Sequence, residues 1–321
     1  MSPISAPAAR PTAVLRLGTR RSVLAIAQAT LVAEALRAGG SSVELVGVTT
    51  EGDRTTGPLT ESGGTGVFVT QLRARLLEGS VDIVVHSLKD LPTQAAADLL
   101  VAAVPPRADA RDALVARDGL TLSNLPAGAS VGTGSPRRAA QLLAVRPDLT
   151  IAPLRGNVDT RVSRVGRAGP GALDAIVVAA AGLARLGRLD EATQLLGPDV
   201  MLPAPGQGAL AIECRAADAE PGARLRAVLA PLDDPSSRAA VVAERAVLAG
   251  LEAGCSAPVG AFAEVDGALN LHLAAVVVSV DGVTAIRGSA QGAANDAEGI
   301  GRRLAADLLA RGASALMGIT K

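Results

Sequence analysis

The sequence predicts an α/β protein with two open, mostly parallel sheets covered by helices on both faces, followed by a smaller α+β domain. Three observations carry this. The first two-thirds of the chain alternates short β-like runs with helical periodicity, the pattern that builds parallel sheets. Apolar residues make up 49% of the 321, almost all of them Ala, Val, Leu and Ile, and Phe68 and Phe262 are the only aromatics. Such a composition suits buried strands under Ala/Leu helices. From about Pro231 the pattern changes to a long helix, three strands and a closing helix.

Val14–Leu17 reads as the first strand, Ser22–Arg37 as a helix stopping at Gly39-Gly40, and Val43–Thr49 as the second strand. Val67–Glu78 has helical periodicity with Gly79 as its C-cap, and Val81–Val85 is a buried strand. Val101–Val104 leads into a boundary at Pro105-Pro106-Arg107. A second unit runs through strand Ser130–Thr133, a helix from Ser135, strand Leu149–Pro153, a helix from Asn157 and strand Asp174–Ala179. Gly197-Pro198-Asp199 and Pro203–Gly206 mark the next junction, and Ala209–Cys214 is one more strand. The last unit reads as helix Pro235–Ala253, strands near 258–265, 270–279 and 283–288, and a helix from about Asn295 to Ala310.

Composition excludes several function classes. Formal net charge is zero, so no global field draws in nucleic acid or an anionic membrane, and two aromatics cannot build base-stacking platforms. The segment Met1–Thr12 has no apolar core of a secretory signal. The longest apolar runs, such as Ile176–Leu183, are too short to span a bilayer. Two cysteines, Cys214 and Cys255, make neither a disulfide scaffold nor a metal cluster. A soluble, monomeric protein of the cytoplasm, with no bound metal, is expected.

Lysine use singles out one segment. Of 31 basic residues, all but Lys89 and Lys321 are arginine, and Lys89 lies in His86-Ser87-Leu88-Lys89-Asp90 at the end of an apolar run. Lysine is a compact ammonium whose pKa moves on burial, unlike the permanently charged guanidinium. Two readings are open: a group placed for chemistry, or one lysine that escaped arginine bias.

Three strand-to-helix junctions carry arginines where cations are unfavourable by roughly 0.3–1 kcal/mol each. These are Thr19-Arg20-Arg21-Ser22, Ser135-Pro136-Arg137-Arg138, and Arg155-Gly156-Asn157 through Arg161. Ser135 and Asn157 fit the N-cap position, with Pro136 first in its helix. Either nearby acids or solvent offset the cost, or an anion does, held by free backbone N–H groups and guanidinium forks. All three junctions fall on the sheet edge where open α/β folds bind ligands. With no phosphate-loop signature, a polycarboxylate fits better than a nucleotide.

Cys214 lies in an alternating strand and reads as a packing residue. Cys255 lies in Gly254-Cys255-Ser256-Ala257-Pro258, an accessible loop that suits covalent chemistry. A nucleophile activated by histidine or a tether for another group both remain open, with His86 and His272 the only candidate bases.

Together these segments resemble the porphobilinogen deaminase (hydroxymethylbilane synthase) family, from about Leu15 to the C-terminus. The motifs are Leu-Gly-Thr-Arg-Arg-Ser at 17–22, Val-His-Ser-Leu-Lys-Asp-Leu-Pro at 85–92 and Val-Gly-Thr-Gly-Ser-Pro-Arg-Arg at 131–138. Leu-Arg-Gly-Asn-Val-Asp-Thr-Arg at 154–161, Pro-Gly-Gln-Gly-Ala at 205–209 and Glu-Ala-Gly-Cys-Ser-Ala-Pro-Val-Gly at 252–260 continue the series. The resemblance implies two domains like type II periplasmic binding proteins plus a third domain bearing the reactive cysteine. It divides the chain into 13–105 with 206–226, 106–205, and 227–321. It further implies a dipyrromethane cofactor joined by thioether to Cys255, and condensation of four porphobilinogens head to tail with release of four ammonia.

Residue roles follow by motif. Asp90 matches the catalytic carboxylate, and also a cofactor contact. Lys89, Ser135, Arg137 and Arg138 match cofactor binders. Arg20, Ser22, Arg155 and Arg161 match substrate-side anion binders, with Arg185, Gln207 and Phe68 at further cleft positions. Three departures stand out: Thr65 where the family's Gly-Gly-Lys-Gly-x-Phe-type loop often has Lys, Glu61 where a positive residue is frequent, and Gly134 in place of a Ser. Arg21 partly restores the lost charge. Two other classes remain to be weighed, a non-enzymatic carboxylate binder and a cysteine hydrolase.

Overall fold

The computed structural model describes residues 14–48, 66–167, 169, 171–254 and 257–317, with the backbone alone for 66–68. In chain order the elements are β1 (Leu15–Arg20), α1 (Val23–Ala38), β2 (Val43–Val48), α2 (Gly66–Leu77), β3 (Ile83–Ser87) and β4 (Leu99–Ala103). Next come β5 (Asp112–Ala116), β6 (Ser130–Thr133), α3 (Pro136–Val145), β7 (Thr150–Pro153), α4 (Val158–Val162), β8 (Ala175–Ala179), α5 (Ala180–Arg185) and β9 (Gln194–Leu196). The chain finishes with β10 (Leu210–Arg215), α6 (Arg224–Leu229), α7 (Pro235–Gly250), β11 (Val259–Val265), β12 (Asn270–Val278), β13 (Ala285–Ala293), α8 (Ala297–Ala310) and α9 (Ala313–Leu316).

The first two sheets share one plan. Their strand orders are β2-β1-β3-β10-β4 and β7-β6-β8-β5-β9. In each, three strands pair in parallel and the fourth position is held by a reversed strand, β10 in one and β5 in the other. The chain leaves the first sheet through 104–111 and returns to it through 197–209, so two crossings join the lobes. The third lobe is an antiparallel sheet, β11-β12-β13, under α7 and α8. Its core is Val247, Leu251, Leu273, Ile300, Leu304 and Leu308 packed between helices and sheet.

Local chemistry accounts for the helix starts. Ser22, Ser135, Asn157 and Asp234 each accept a hydrogen bond from a backbone N–H of the first turn, and Pro136 and Pro235 open α3 and α7. Such caps satisfy donors that a helix leaves unpaired. On α1, Gln28, Ala29, Val32, Ala33 and Leu36 form the buried stripe against the first sheet.

Differences from the sequence reading have physical reasons. The buried strand expected at Val81–Val85 runs instead over Ile83–Ser87. Asp82 is occupied at its entry, accepting from the Arg16 N–H and guanidinium, and the strand continues through His86 and Ser87 opposite β10. Strand β5 was not expected, because Asp-Ala-Leu-Val-Ala has neither alternation nor β-branched density, yet all five residues are buried. Nor were α5, α6 and the short β9, none of them longer than six residues. Helix α7 stops at Gly250 rather than Ala253, and Glu252 takes a left-handed φ of 51°.

Candidate active site

The turn Leu88–Asp90 follows directly from β3 as a single 3-10 turn. Leu88 donates its N–H to the Ala209 carbonyl at 3.0 Å, tying the turn to the return crossing. That approach is close: a Cβ on Gly206, at φ 78°, would lie 2.4 Å from the Leu88 side chain. From the third lobe, Arg245 of α7 donates to the Leu91 and Pro92 carbonyls at 2.8 and 2.6 Å. The turn is therefore clamped by two other parts of the chain.

The change from strand to 3-10 turn after Ser87 separates the residues that the sequence grouped. His86 is buried and its Nε2 lies 3.2 Å from Glu213, which Arg73 also holds through two nitrogens. It belongs to the packing between α2, β3 and β10. Lys89 and Asp90 instead face a cavity. Burial and then the Arg138 charge push the Lys89 ammonium down to about 8, against the opposing pull of Asp90. Its Nζ donates to Gln207 Oε1 at 3.2 Å. The Asp90 carboxylate accepts no hydrogen bond from any described residue.

Opposite this turn lie Arg137 and Arg138, at the start of α3 and only 4% and 5% exposed. Both grip Asp112, the first residue of β5, which is fully buried. Arg137 Nη1 reaches Asp112 Oδ2 at 2.8 Å and the Leu202 carbonyl at 2.7 Å. Arg138 reaches Oδ1 through Nε at 2.9 Å and Nη2 at 2.7 Å. Burial pushes the Asp112 carboxyl up, but the two guanidiniums outweigh it and hold it well below the usual range. So at this junction an acid on a neighbouring strand meets part of the cost of cations at a helix start. It does not meet all of it: Arg137 Nε is buried without a partner among the described residues.

Gln207 joins the two sides. It is fully buried, its Nε2 donating to Asp112 Oδ1 at 2.9 Å and the Ala110 carbonyl at 2.8 Å, while Oε1 receives Lys89 and, at 3.5 Å, Arg138. The cavity between these groups measures about 170 Å³, room for on the order of ten waters and so a ligand cleft rather than a hydration hole. Ser135 lines it too, and the third lobe contributes Leu248, Gly254, Ala257 and Val259. Gly254 is the residue before Cys255.

The remaining expected site residues are distributed around this centre. Ser22 is occupied as the α1 cap, accepting from Ala25 N at 3.3 Å, and Arg20 ends β1 just before it. Arg155 is exposed between β7 and α4. Arg161 on α4 donates to the Gly156 carbonyl at 2.8 Å. Burial lowers its pKa, with Arg138 acting in the same direction and Asp90 opposing. Arg185 is pushed down to about 10 by burial alone and spends Nη2 on the Gly208 carbonyl of the return crossing at 2.6 Å. Cys255, Thr65 and Glu61 lie outside the described residues, as does the side chain of Phe68. Gly134 is a packing requirement: a Cβ there would sit 2.6 Å from the Leu154 carbonyl oxygen.

Sequence reasoning missed Asp112, Arg107 and Glu244. Arg107 donates to Glu244 at 2.6 and 3.0 Å, to the Gln207 carbonyl at 2.8 Å, and lies 5.4 Å from the Phe262 ring centre. Glu244, fully buried on α7, also accepts the Gly206 and Ala263 N–H groups. One signal was available for each acid: a charged residue inside or heading an otherwise apolar run.

Two family models match the chain: the porphobilinogen deaminase dipyrromethane-cofactor-binding domain over residues 15–222, and the porphobilinogen deaminase C-terminal domain over 238–310. The chain belongs to the porphobilinogen deaminase family. Among its relatives, the porphobilinogen deaminase of Acidothermus cellulolyticus is 59% identical over 305 residues, covering 95% of this chain and 91% of that one. That of Mycobacterium bovis is 57% identical over 312 residues, covering 95% and 98%. Among solved structures, a nutrient-binding protein from Burkholderia cenocepacia bound to methionine aligns with a TM-score of 0.41 and 15% identity, covering 67% of this chain and 90% of that one.

Members of the family polymerise porphobilinogen into hydroxymethylbilane in tetrapyrrole biosynthesis, on a dipyrromethane cofactor typically carried by a cysteine. The residues present suit such a polycarboxylate. A buried guanidinium nitrogen with no partner among the described residues, beside a lysine whose pKa is lowered, is a donor set short of an anion.

Proposed function

We propose that this chain joins four porphobilinogen molecules head to tail at the Asp90 cleft, with the growing chain tethered through Cys255. The observation that carries this reading is the convergence on one cavity of an unbraced carboxylate, Asp90, with Gly254, the neighbour of Cys255. The dipyrromethane, when bound, would supply the free pyrrole carbon to which the first unit adds.

The chain's own groups divide the rest of the work. Asp90 assists proton delivery to the departing amine nitrogen of the substrate, which leaves as ammonia. It accepts the ring N–H as positive charge develops on that pyrrole, and takes the proton displaced at coupling. Its carboxylate oxygens are free for this because no described residue occupies them. Lys89, Ser135, Arg137 and Arg138 hold cofactor carboxylates, while Arg20, Ser22, Arg155, Arg161, Arg185 and Gln207 bind or frame those of the substrate. Phe68, on α2, would offer an aromatic face to a pyrrole. Every unit brings an acetate and a propionate, so a cleft dense in guanidinium suits a chain whose charge grows with each addition.

The working unit is a cytoplasmic monomer that uses neither nucleic acid nor membrane. Zero net charge supports the lack of a nucleic-acid or anionic-membrane partner, and no helix among the described residues is long and apolar enough to cross a bilayer. Its domains are 13–105 with 206–226, 106–205 and 227–321, a division supported by the membership of β10 in the first sheet. The carboxylate-binder reading leaves Asp90 without a task. The hydrolase reading lacks a base, since neither His86 nor His272 lines the cavity.

Intact mass with turnover tests the assignment. Asp90→Asn is expected to keep an adduct of two pyrrole units and lose nearly all turnover, whereas Cys255→Ser carries no adduct. Near-normal turnover in Asp90→Asn, or an active wild-type protein of bare-chain mass, contradicts it.

A further inference from the structure

A cleft that binds carboxylates has a carboxylate of its own built into the binding arginines. Asp112 is fully buried and lies against Arg137, Arg138 and Gln207. For affinity alone this is a poor choice, because its charge repels the incoming anion and uses donors that the ligand needs. Its position explains it better. Two adjacent guanidiniums, each about nine-tenths or more buried, repel each other and carry a desolvation cost that an empty cleft would leave uncompensated. With no internal counter-ion they would swing outward to water.

The hydrogen bonds show what the counter-ion holds. Asp112 accepts three hydrogen bonds, from Arg138 Nε and Gln207 Nε2 on Oδ1 and from Arg137 Nη1 on Oδ2, with Arg138 Nη2 in ion-pair contact with Oδ1 at 2.7 Å. That uses three of the roughly four acceptor sites a carboxylate has, so most of its hydrogen-bonding capacity goes to groups that face the cleft. By taking Gln207 Nε2 it also fixes which way that amide points, leaving Oε1 toward Lys89 Nζ at 3.2 Å. Three cations on two lobes are thus aimed by one side chain, while Arg137 Nε has no partner among the described residues.

We infer that Asp112 is a positioning residue: the standing counter-ion that keeps Arg137, Arg138 and, through Gln207, Lys89 aimed at the cleft before a polycarboxylate arrives, and shares them with it afterwards. This rests on the polycarboxylate reading given above. Because ligand carboxylates take over part of the compensation, Asp112 matters more to the empty protein than to the loaded one.

The test is thermal melting of Asp112→Asn in two backgrounds, the adduct-bearing chain and Cys255→Ser. The near-isosteric amide removes the charge, so the adduct-free protein falls further than the adduct-bearing one and the gap between them widens by several degrees. Asp112→Glu, which restores the charge, brings the gap back toward the wild-type value. A role in packing alone lowers both forms equally, and an unchanged or narrower gap overturns the inference. Should Asp112→Asn fold in neither background, the adduct-free double variant Asp112→Asn/Arg137→Gln decides: recovered folding supports charge compensation, and no recovery rejects it. A wild-type pair with no gap defeats the polycarboxylate reading first, and is distinguishable because it involves no change at Asp112.

Discussion

The Arg107–Glu244 pair and the Asp112–Arg137–Arg138 cluster meet at Gln207, the first on its carbonyl and the second on its side chain, and they are balanced differently. Glu244 faces one guanidinium and two backbone amides, all within 3.0 Å, and the charges cancel. In the other cluster two guanidiniums share one carboxylate, Lys89 stands nearby, and a buried nitrogen has no partner among the described residues. Both sets are buried to a similar degree, so burial does not tell structure from function here. The surplus of donors does. A saturated ion pair ties lobes together, and an unsaturated one waits for an anion.

The largest expected effect falls on the saturated pair. Glu244→Ala leaves Arg107 buried and uncompensated and strips the crossing at Gly206 of its acceptor, which should cost about 3–5 kcal/mol. Denaturant unfolding measures it, and adduct content in the surviving folded fraction should stay near normal. A variant that folds well but lacks the adduct would erase the distinction between the clusters.

A smaller effect is expected at Gly134. If the site merely lacked a hydroxyl, Gly134→Ser would tighten binding. The Leu154 carbonyl at 2.6 Å from the new Cβ predicts instead a loss of about 1–3 kcal/mol from overpacking, with no fall in KM. Thermal melts and steady-state kinetics together separate the two outcomes.

Lys89 gives the smallest effect and the one that depends on pH. Burial, reinforced by Arg138, lowers its pKa to about 8, so it is charged below that pH and loses its charge above it. A cofactor carboxylate prefers the charged form, so the melting gap between the adduct-bearing chain and Cys255→Ser should narrow as the pH rises above about 8. Lys89→Arg stays charged, and its gap should lack this pH-dependent fall. An identical profile in both proteins would remove Lys89 from the anion site.

Much of this was legible in the sequence, and the parts that were not share a cause. Lys89 and Asp90 stood out because arginine is the default cation and the preceding run is apolar. Ser135 and Asn157 were legible as caps because capping is a local interaction. Asp112 and Glu244 were not, since their partners lie 19 to 137 residues away in sequence, and a charge in an apolar run marks a buried acid without naming its partner. His86 parts from Lys89 and Asp90 for another reason: it is still on β3, where it faces Glu213, whereas they lie on the 3-10 turn that follows the strand. The register of β3, two residues later than expected, decided which residues reached the turn.

Intact mass of Arg137→Gln tests the central claim most directly. If the surplus cation is there for an anion, the protein should melt close to Cys255→Ser, because Asp112 and Arg138 still balance, yet have the mass of the bare chain. A full two-pyrrole adduct on Arg137→Gln would contradict the account.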